Sequence, residues 1–365
     1  MEWVFLVLSW VHGNELIIKQ IILKEELAVR MTETTSLISP GNTEPVIPVL
    51  SNSTIRMYRR RGLSNLLKMG HCAPAVMQTL MDLGNTKGEW MVRMTAGLPG
   101  GIGSTGFECG GITSPLIHFG LEHGLSAKHE GLPTVIYAGH EYLHRFKKCN
   151  NSLLCQDILG KRRVPLPCIK VARHAPELFK QTGCIDCTEA ISGETREAFH
   201  LLYSHLSANG FHCAHAVLNQ LGDTVPITRE LLDGTSGFIG GTVFKGLTCS
   251  AFTAGLMAVG LKLGEIEGSF PRVAWMLATM IAGGNALADH MNKFNRILNI
   301  GHRMSKWFKK EFGSTLCREI TQCDFSSLGD VNRYIGNGSL TTCKIIAERV
   351  ARQAEMIIKQ KGVGF

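Results

Sequence analysis

Cys72 and Cys213 sit in one pattern written twice, "HCAPAV" from His71 and "HCAHAV" from His212. Laid on one another, His71, Cys72, Ala73, Ala75, Val76 and Leu80 match His212, Cys213, Ala214, Ala216, Val217 and Leu221. After a one-residue gap, Gly97, Gly100, Gly101, Gly106, Cys109, Gly120, Leu121 and Gly124 match Gly237, Gly240, Gly241, Gly246, Cys249, Gly260, Leu261 and Gly264. Further on, "FKKCNNSLLC" (146–155) answers "FKKEFGSTLC" (308–317), which brings Cys155 onto Cys317. A final helix-like stretch follows each, from Cys168 and from Cys343. Such self-similarity predicts a duplicated fold, and the second copy is longer by about a helical hairpin near Pro271 to His290.

Around the cysteines, apolar residues recur at three- and four-residue steps, as in Ala214, Val217, Leu218 and Leu221. That is the period of a helix, and sustained strand alternation is nearly absent. The expected fold is all-α: a duplicated helical bundle in which two tandem repeats form a pseudo-dimer. Its expected parts are a poorly ordered N-terminal extension (1–50), a first cysteine-rich repeat (51–180), a linker (181–195) and a second repeat (196–362). Cys72 and Cys213 open helical runs, while Cys109 and Cys249 follow the glycine-rich "GLPGGIGSTGFEC" and "GFIGGTVFKGLTC". Each should lie near a helix N-terminus, where unpaired N–H groups and the positive dipole end favour a thiolate.

Composition narrows the setting. The 365 residues are 44% hydrophobic, ample for large cores, with a formal net charge of +8. One dense basic run, Arg56 to Arg61, and 7% aromatic content do not make the basic, aromatic-studded face that nucleic acid binding needs. The apolar run Val4–Val11 lacks a basic leader and a cleavage site, so it does not read as a signal peptide. Met31 offers an alternative start. No apolar stretch reaches the length of a membrane span; "SAFTAGLMAVGLKLG" and "VAWMLATMIAGGNALA" read as buried bundle helices. The expected location is the cytoplasm, where thiols stay reduced unless a metal holds them. A homo-oligomer is compatible with the chain.

Twelve cysteines then need an account. Eight form two equivalent sets of four: Cys72, Cys109, Cys155, Cys168 and Cys213, Cys249, Cys317, Cys343. Four thiols suit an iron–sulfur cluster or a tetrahedral zinc. A thiol–disulfide pair without metal, or buried cysteines that only fill a core, are the other readings. Cys149, Cys184, Cys187 and Cys323 have no counterparts; Cys184 and Cys187 make a lone C-x-x-C. His71 and His212 stand beside the first cysteines, as mixed ligands, proton donors or plain helix-end residues. "GIGSTG" (101–106) satisfies G-x-G-x-x-G, but a helix-like run precedes it where a dinucleotide site needs a strand.

The cysteine set and the stretches "CGGITS" from Cys109 and "CSAFTA" from Cys249 resemble the C_GCAxxG_C_C family, whose members carry four cysteines and a C-G-A-x-x-G motif. Here Gly111 and Ser114 replace the motif's alanine and last glycine, and Ser250 and Ala254 replace its first and last glycines. The resemblance spans about 52–180 and 190–362, as two copies. It implies a redox role, without a named substrate, and makes the eight cysteines its metal-ligand candidates. A related helical domain in split-Soret cytochromes is associated with an iron–sulfur centre. The leading expectation is electron transfer or redox sensing through an iron–sulfur cluster held by four cysteines per repeat, serving a redox partner protein.

Overall fold

The computed structural model describes residues 50–84, 86–160, 165–183, 186–265, 273 and 296–361. Residues 1–49, Cys184 and most of the expected hairpin at Pro271–His290 lie outside them. The first repeat runs α1 (Asn52–Met69), α2 (Cys72–Gly84), α3 (Glu89–Met94), α4 (Gly110–His123), a two-residue hairpin β1 (Lys128–His129) and β2 (Leu132–Pro133), α5 (Thr134–Asn150), α6 (Cys155–Leu159) and α7 (Pro165–Thr182). After a 3-10 turn at Thr188–Ala190 the second repeat gives α8 (Gly193–Ala208), α9 (Cys213–Gln220), α10 (Arg229–Gly234), α11 (Ser250–Leu263), α12 (Arg296–Phe312), α13 (Cys317–Thr321), α14 (Leu328–Gly336) and α15 (Ser339–Lys359). The antiparallel hairpin is the one sheet among the described residues, so the fold is all-α and duplicated.

Pro48–Phe365 is a single compact unit, and one hydrophobic cluster runs through both repeats. At its centre are α4 and α11, buried from Gly110 to Gly120 and from Ser250 to Gly260. Helices hydrophobic all round belong inside a core rather than on its rim. Each burying side chain of Leu or Phe size contributes about 1.5–3 kcal/mol.

The halves meet through reciprocal contacts, as an isologous twofold face requires. Gly120 of α4 lies against the Asp233 carbonyl of α10, and its counterpart Gly260 of α11 lies against the Arg93 carbonyl of α3. Gly103 abuts Gly301, while their counterparts Val243 and Gly139 abut one another. At Gly120 a Cβ would strike backbone, which cannot swing away, and at Gly260 a Cβ would fall 2.6 Å from the Arg93 oxygen. Each repeat therefore packs its central helix on a short helix of the other.

Local irregularities are matched by tertiary partners. Pro115 within α4 removes the N–H that would bond the Gly111 carbonyl, and the Tyr142 hydroxyl donates to that carbonyl instead at 2.5 Å. The second repeat has Gly255 and Met304 at these two places, so proline and phenol occur together. His140 is buried with Nε2 2.6 Å from the Val243 carbonyl across the halves; burial, then the nearby Lys245 charge, holds its pKa down at about 3.

Gly120→Ala and Gly260→Ala should each destabilise the chain by about 2–3 kcal/mol through overpacking. Denaturant unfolding checks this, and an unchanged midpoint for both would refute the packing account. His140 is neutral when folded and titrates near 6.5 when unfolded. Its share of stability is thus whole above pH 6.5 and lost as pH falls toward about 3. His140→Gln should flatten the acid limb of the stability profile between those values.

Candidate functional site

All eight matched cysteines lie at or near a helix start. Cys72, Cys155, Cys213 and Cys317 begin α2, α6, α9 and α13; Cys109 and Cys249 cap α4 and α11; Cys168 is the fourth residue of α7 and Cys343 the fifth of α15. The third cysteine of each set is tied to the loop before the second by isolated bridges, Glu108 with Leu154 and Thr248 with Leu316. Cys155 N–H donates to the Phe107 carbonyl at 2.6 Å, and Cys317 N–H to the Leu247 carbonyl at 2.7 Å.

Within each half the thiols act on one another. The Cys109 thiol and Cys72 sulfur hydrogen-bond; Cys155 adds to the electrostatic load on Cys109, and Cys72 to that on Cys168. In the second half Cys213 senses Cys343 and Cys249, and Cys317 senses Cys249, Cys343 and Cys213. Four residues spread from position 72 to 168, and four from 213 to 343, are thereby neighbours. They do not close around one point: among the described residues no three or more His, Cys, Asp or Glu side chains form a group able to hold a single metal ion. Every described cysteine is a free thiol.

Glycine-rich loops wrap each set. Five consecutive residues, Gly100 to Ser104, have positive φ, and so do Gly240 to Phe244. The second run includes Thr242, Val243 and Phe244, where a left-handed backbone costs about 1–2 kcal/mol per residue. The loop before Cys109 and Cys249 is therefore a left-handed turn preceded by a helix, and "GIGSTG" belongs to it rather than to a strand–turn–helix nucleotide cradle. Backbone N–H groups of Gly100, Ala73 and Gly110 support the Cys72 sulfur, and that of Gly240 supports Cys213.

The helix starts do not make thiolates of most of these cysteines. Burial outweighs the dipole and raises Cys249 and Cys168 to about 12, and likewise raises Cys213, Cys317 and Cys343. Cys109 is raised because its thiol proton is held by Cys72, with burial adding to the effect. Cys72 is lowered, chiefly because Cys109 donates to it. Gly110 explains why the first half has this pair: a Cβ there would fall 2.8 Å from the Cys72 sulfur. Ser250 occupies that place in the second half.

The remaining candidates are placed elsewhere. His212 is buried; its Nδ1 accepts from the His215 N–H at 3.4 Å, so its Nε2 donates to the Ser236 carbonyl at 3.0 Å. With both nitrogens engaged by protein, His212 is a structural N-cap of α9. His71 holds the matching position in front of α2. Cys149 is half-buried. Cys187 donates to the Thr182 carbonyl at 3.6 Å, while Cys323 is buried beside Cys317.

Two participants escape sequence reading. Glu108, fully buried, accepts from the Thr248 N–H at 2.8 Å, from the Thr248 hydroxyl, and from the Thr242 hydroxyl at 3.2 Å. Glu108 and Thr248 are equivalent residues, each directly before the second cysteine of its set. The mismatch of glutamate against threonine inside a matched register was the available signal. Tyr334 of α14 lies with its hydroxyl 3.4 Å from the Cys343 sulfur; the doubled spacing between third and fourth cysteines, 13 residues in one repeat and 26 in the other, marked its segment.

Gly110→Ser should separate Cys72 from Cys109. In metal-free protein under a mild disulfide oxidant, the wild type should form a Cys72–Cys109 bridge, and the variant should form it about tenfold more slowly. Peptide mapping checks this, and equal rates would show that Gly110 does not control the approach.

Among the described residues no helix is long and apolar enough to cross a membrane. A family model described as "Putative redox-active protein (C_GCAxxG_C_C)" matches residues 70–198 and 211–357. No curated protein and no solved structure was found to match the chain.

Proposed function

The chain belongs to the C_GCAxxG_C_C family, in two tandem copies, and from that premise we propose that it transfers or senses electrons through an iron–sulfur cluster in each half. The observation that carries the proposal is the mutual interaction of four thiols in each half, drawn from four separate helix starts. Cys72, Cys109, Cys155 and Cys168 would hold one cluster, and Cys213, Cys249, Cys317 and Cys343 the other. Zinc bonded at about 2.3 Å to four sulfurs would draw them to about 3.8 Å from one another. A [2Fe–2S] cluster takes two cysteines on each iron and a [4Fe–4S] cluster one on each, so neither needs all four sulfurs at a single ion, which suits thiols that do not close around one point.

When bound, such a group would take up and release single electrons. The protein's part is to hold and shield it. Six of the eight thiols are pushed up by their surroundings and keep their protons at neutral pH without metal, so loading must release protons. The N–H groups at the helix starts and in the glycine loops face the sulfurs and stabilise negative charge there. Buried Phe and Leu side chains around α4 and α11 exclude water. The reduced thiols suit a reducing compartment such as the cytoplasm, with a redox protein as partner.

A second reading rests on the first half alone. The Cys72–Cys109 pair, with Cys72 the more readily ionised, is arranged to pass two electrons and two protons to a disulfide-bearing partner as its own disulfide forms. Iron analysis separates the readings. Protein purified anaerobically should be brown and carry iron in both halves, and Cys109→Ala and Cys249→Ala should each remove about half of it. Colourless, iron-free wild type after reconstitution would refute the cluster proposal and leave the dithiol reading.

A further inference from the structure

One side of α1 is built into the core. Tyr58, Gly62, Asn65, Leu66 and Met69 are buried, with Gly62 against the Ala172 carbonyl of α7 and Asn65 Nδ2 donating to the Thr79 hydroxyl of α2 at 3.0 Å. A helix advances about 100° per residue, which gathers Arg56, Met57, Arg60, Arg61, Leu67 and Lys68 on the opposite side within an arc of about 140°. All six are exposed.

The charge of that arc is of one sign. α1 contains no Asp or Glu. Arg59, on the flank, pairs with Glu177 at 2.9 Å, and Arg61 stands 3.6 Å from Asp82; among the described residues no carboxylate pairs with Arg56, Arg60 or Lys68. Met57 and Leu67, 48% and 44% exposed, lie among these cations. On α15 the exposed Ile345 and Met356 keep different company, because Arg352 and Lys359 there pair with Glu348 and Glu355. Such pairs one turn apart cancel charge along a helix.

The duplication shows why this side is bare. α8 takes the place of α1 in the second repeat, and α14 packs on it. Glu194, in the position of Ser53, accepts the Leu328 N–H at 2.9 Å, and the Thr195 hydroxyl donates to the Ser326 carbonyl at 3.5 Å. Among the described residues the first repeat has no counterpart of α14, its third and fourth cysteines being 13 residues apart rather than 26. Glu197 stands where α1 has Arg56, so the basic charge belongs to the first repeat and not to the repeated plan.

We propose that this face of α1 docks the protein on an anionic lipid bilayer. Its arginines and lysine meet the headgroup phosphates, while Met57 and Leu67 enter the boundary between headgroups and acyl chains. A polybasic surface is drawn to anionic lipid, and apolar side chains among the cations add burial that a purely charged contact lacks. An acidic protein surface would satisfy the arginines but set Met57 and Leu67 against charge; a bilayer accommodates both. The net charge of +8 acts in the same direction. The docking is peripheral and does not depend on what the cysteines hold.

The test is cosedimentation of the full chain with vesicles of phosphatidylcholine alone, or of phosphatidylcholine and phosphatidylglycerol in equal parts. Only the anionic vesicles should bind, less well as salt rises. Arg56→Gln with Arg60→Gln should weaken that binding about tenfold or more, and Met57→Ser with Leu67→Ser should weaken what survives at high salt. Arg352→Gln with Lys359→Gln removes the same charge from α15 and should leave binding unchanged. All these positions are at the surface, so the core is untouched. Equal binding to both vesicles, or equal losses from the α1 and α15 charge variants, overturns the proposal. So does displacement of the vesicles by soluble polyglutamate together with an inert Met57→Ser, Leu67→Ser variant, which would assign the face to an acidic protein.

Discussion

The structure hangs on a carboxylate buried between two copies of the same loop. Glu108 takes the Thr248 N–H and two threonine hydroxyls from the other half, a bond set that an unpaired buried carboxylate could not do without. Burial still raises its pKa, with those donors opposing the rise. Because Glu108 and Thr248 directly precede Cys109 and Cys249, this contact joins the two loops that carry those cysteines. The left-handed turns, the bridges to Leu154 and Leu316, and the crossed packing of α4 and α11 all build outward from that junction.

From this junction follows the division of labour in each half. The loop bearing the second cysteine is pinned at the middle of the molecule, and the bridge brings the third cysteine with it. The first and fourth cysteines arrive on α2 and α7, or on α9 and α15, which pack as ordinary helices. Sulfurs contributed by four helix starts share one apolar environment. The raised pKa values of Cys168, Cys213, Cys249, Cys317 and Cys343 have the same cause as the stability of the core: water is excluded, so these thiols keep their protons unless something replaces them.

Duplication allows the halves to diverge. Glycine at position 110 lets Cys72 and Cys109 touch, whereas serine at position 250 adds bulk at the matching place. Pro115 and Tyr142 support one another in the first half, where the second has Gly255 and Met304. Tyr334 exists in the second alone. Such paired changes keep the architecture while altering the surroundings of the sulfur.

The duplication, the helical class and the placing of matched cysteines near helix starts are legible along the chain without its fold. Those properties are local or periodic: three- and four-residue apolar steps, glycine before cysteine, and two registers that could be laid together. Only the tertiary structure reveals which thiols of a half act on one another, that burial outweighs the helix dipole on most of them, and that Glu108, Thr248 and Tyr334 lie beside the cysteines. Those facts depend on contacts between residues up to 140 positions apart, on which side chains lose water, and on a left-handed turn whose pattern looked like a nucleotide loop. No one-dimensional spacing records them.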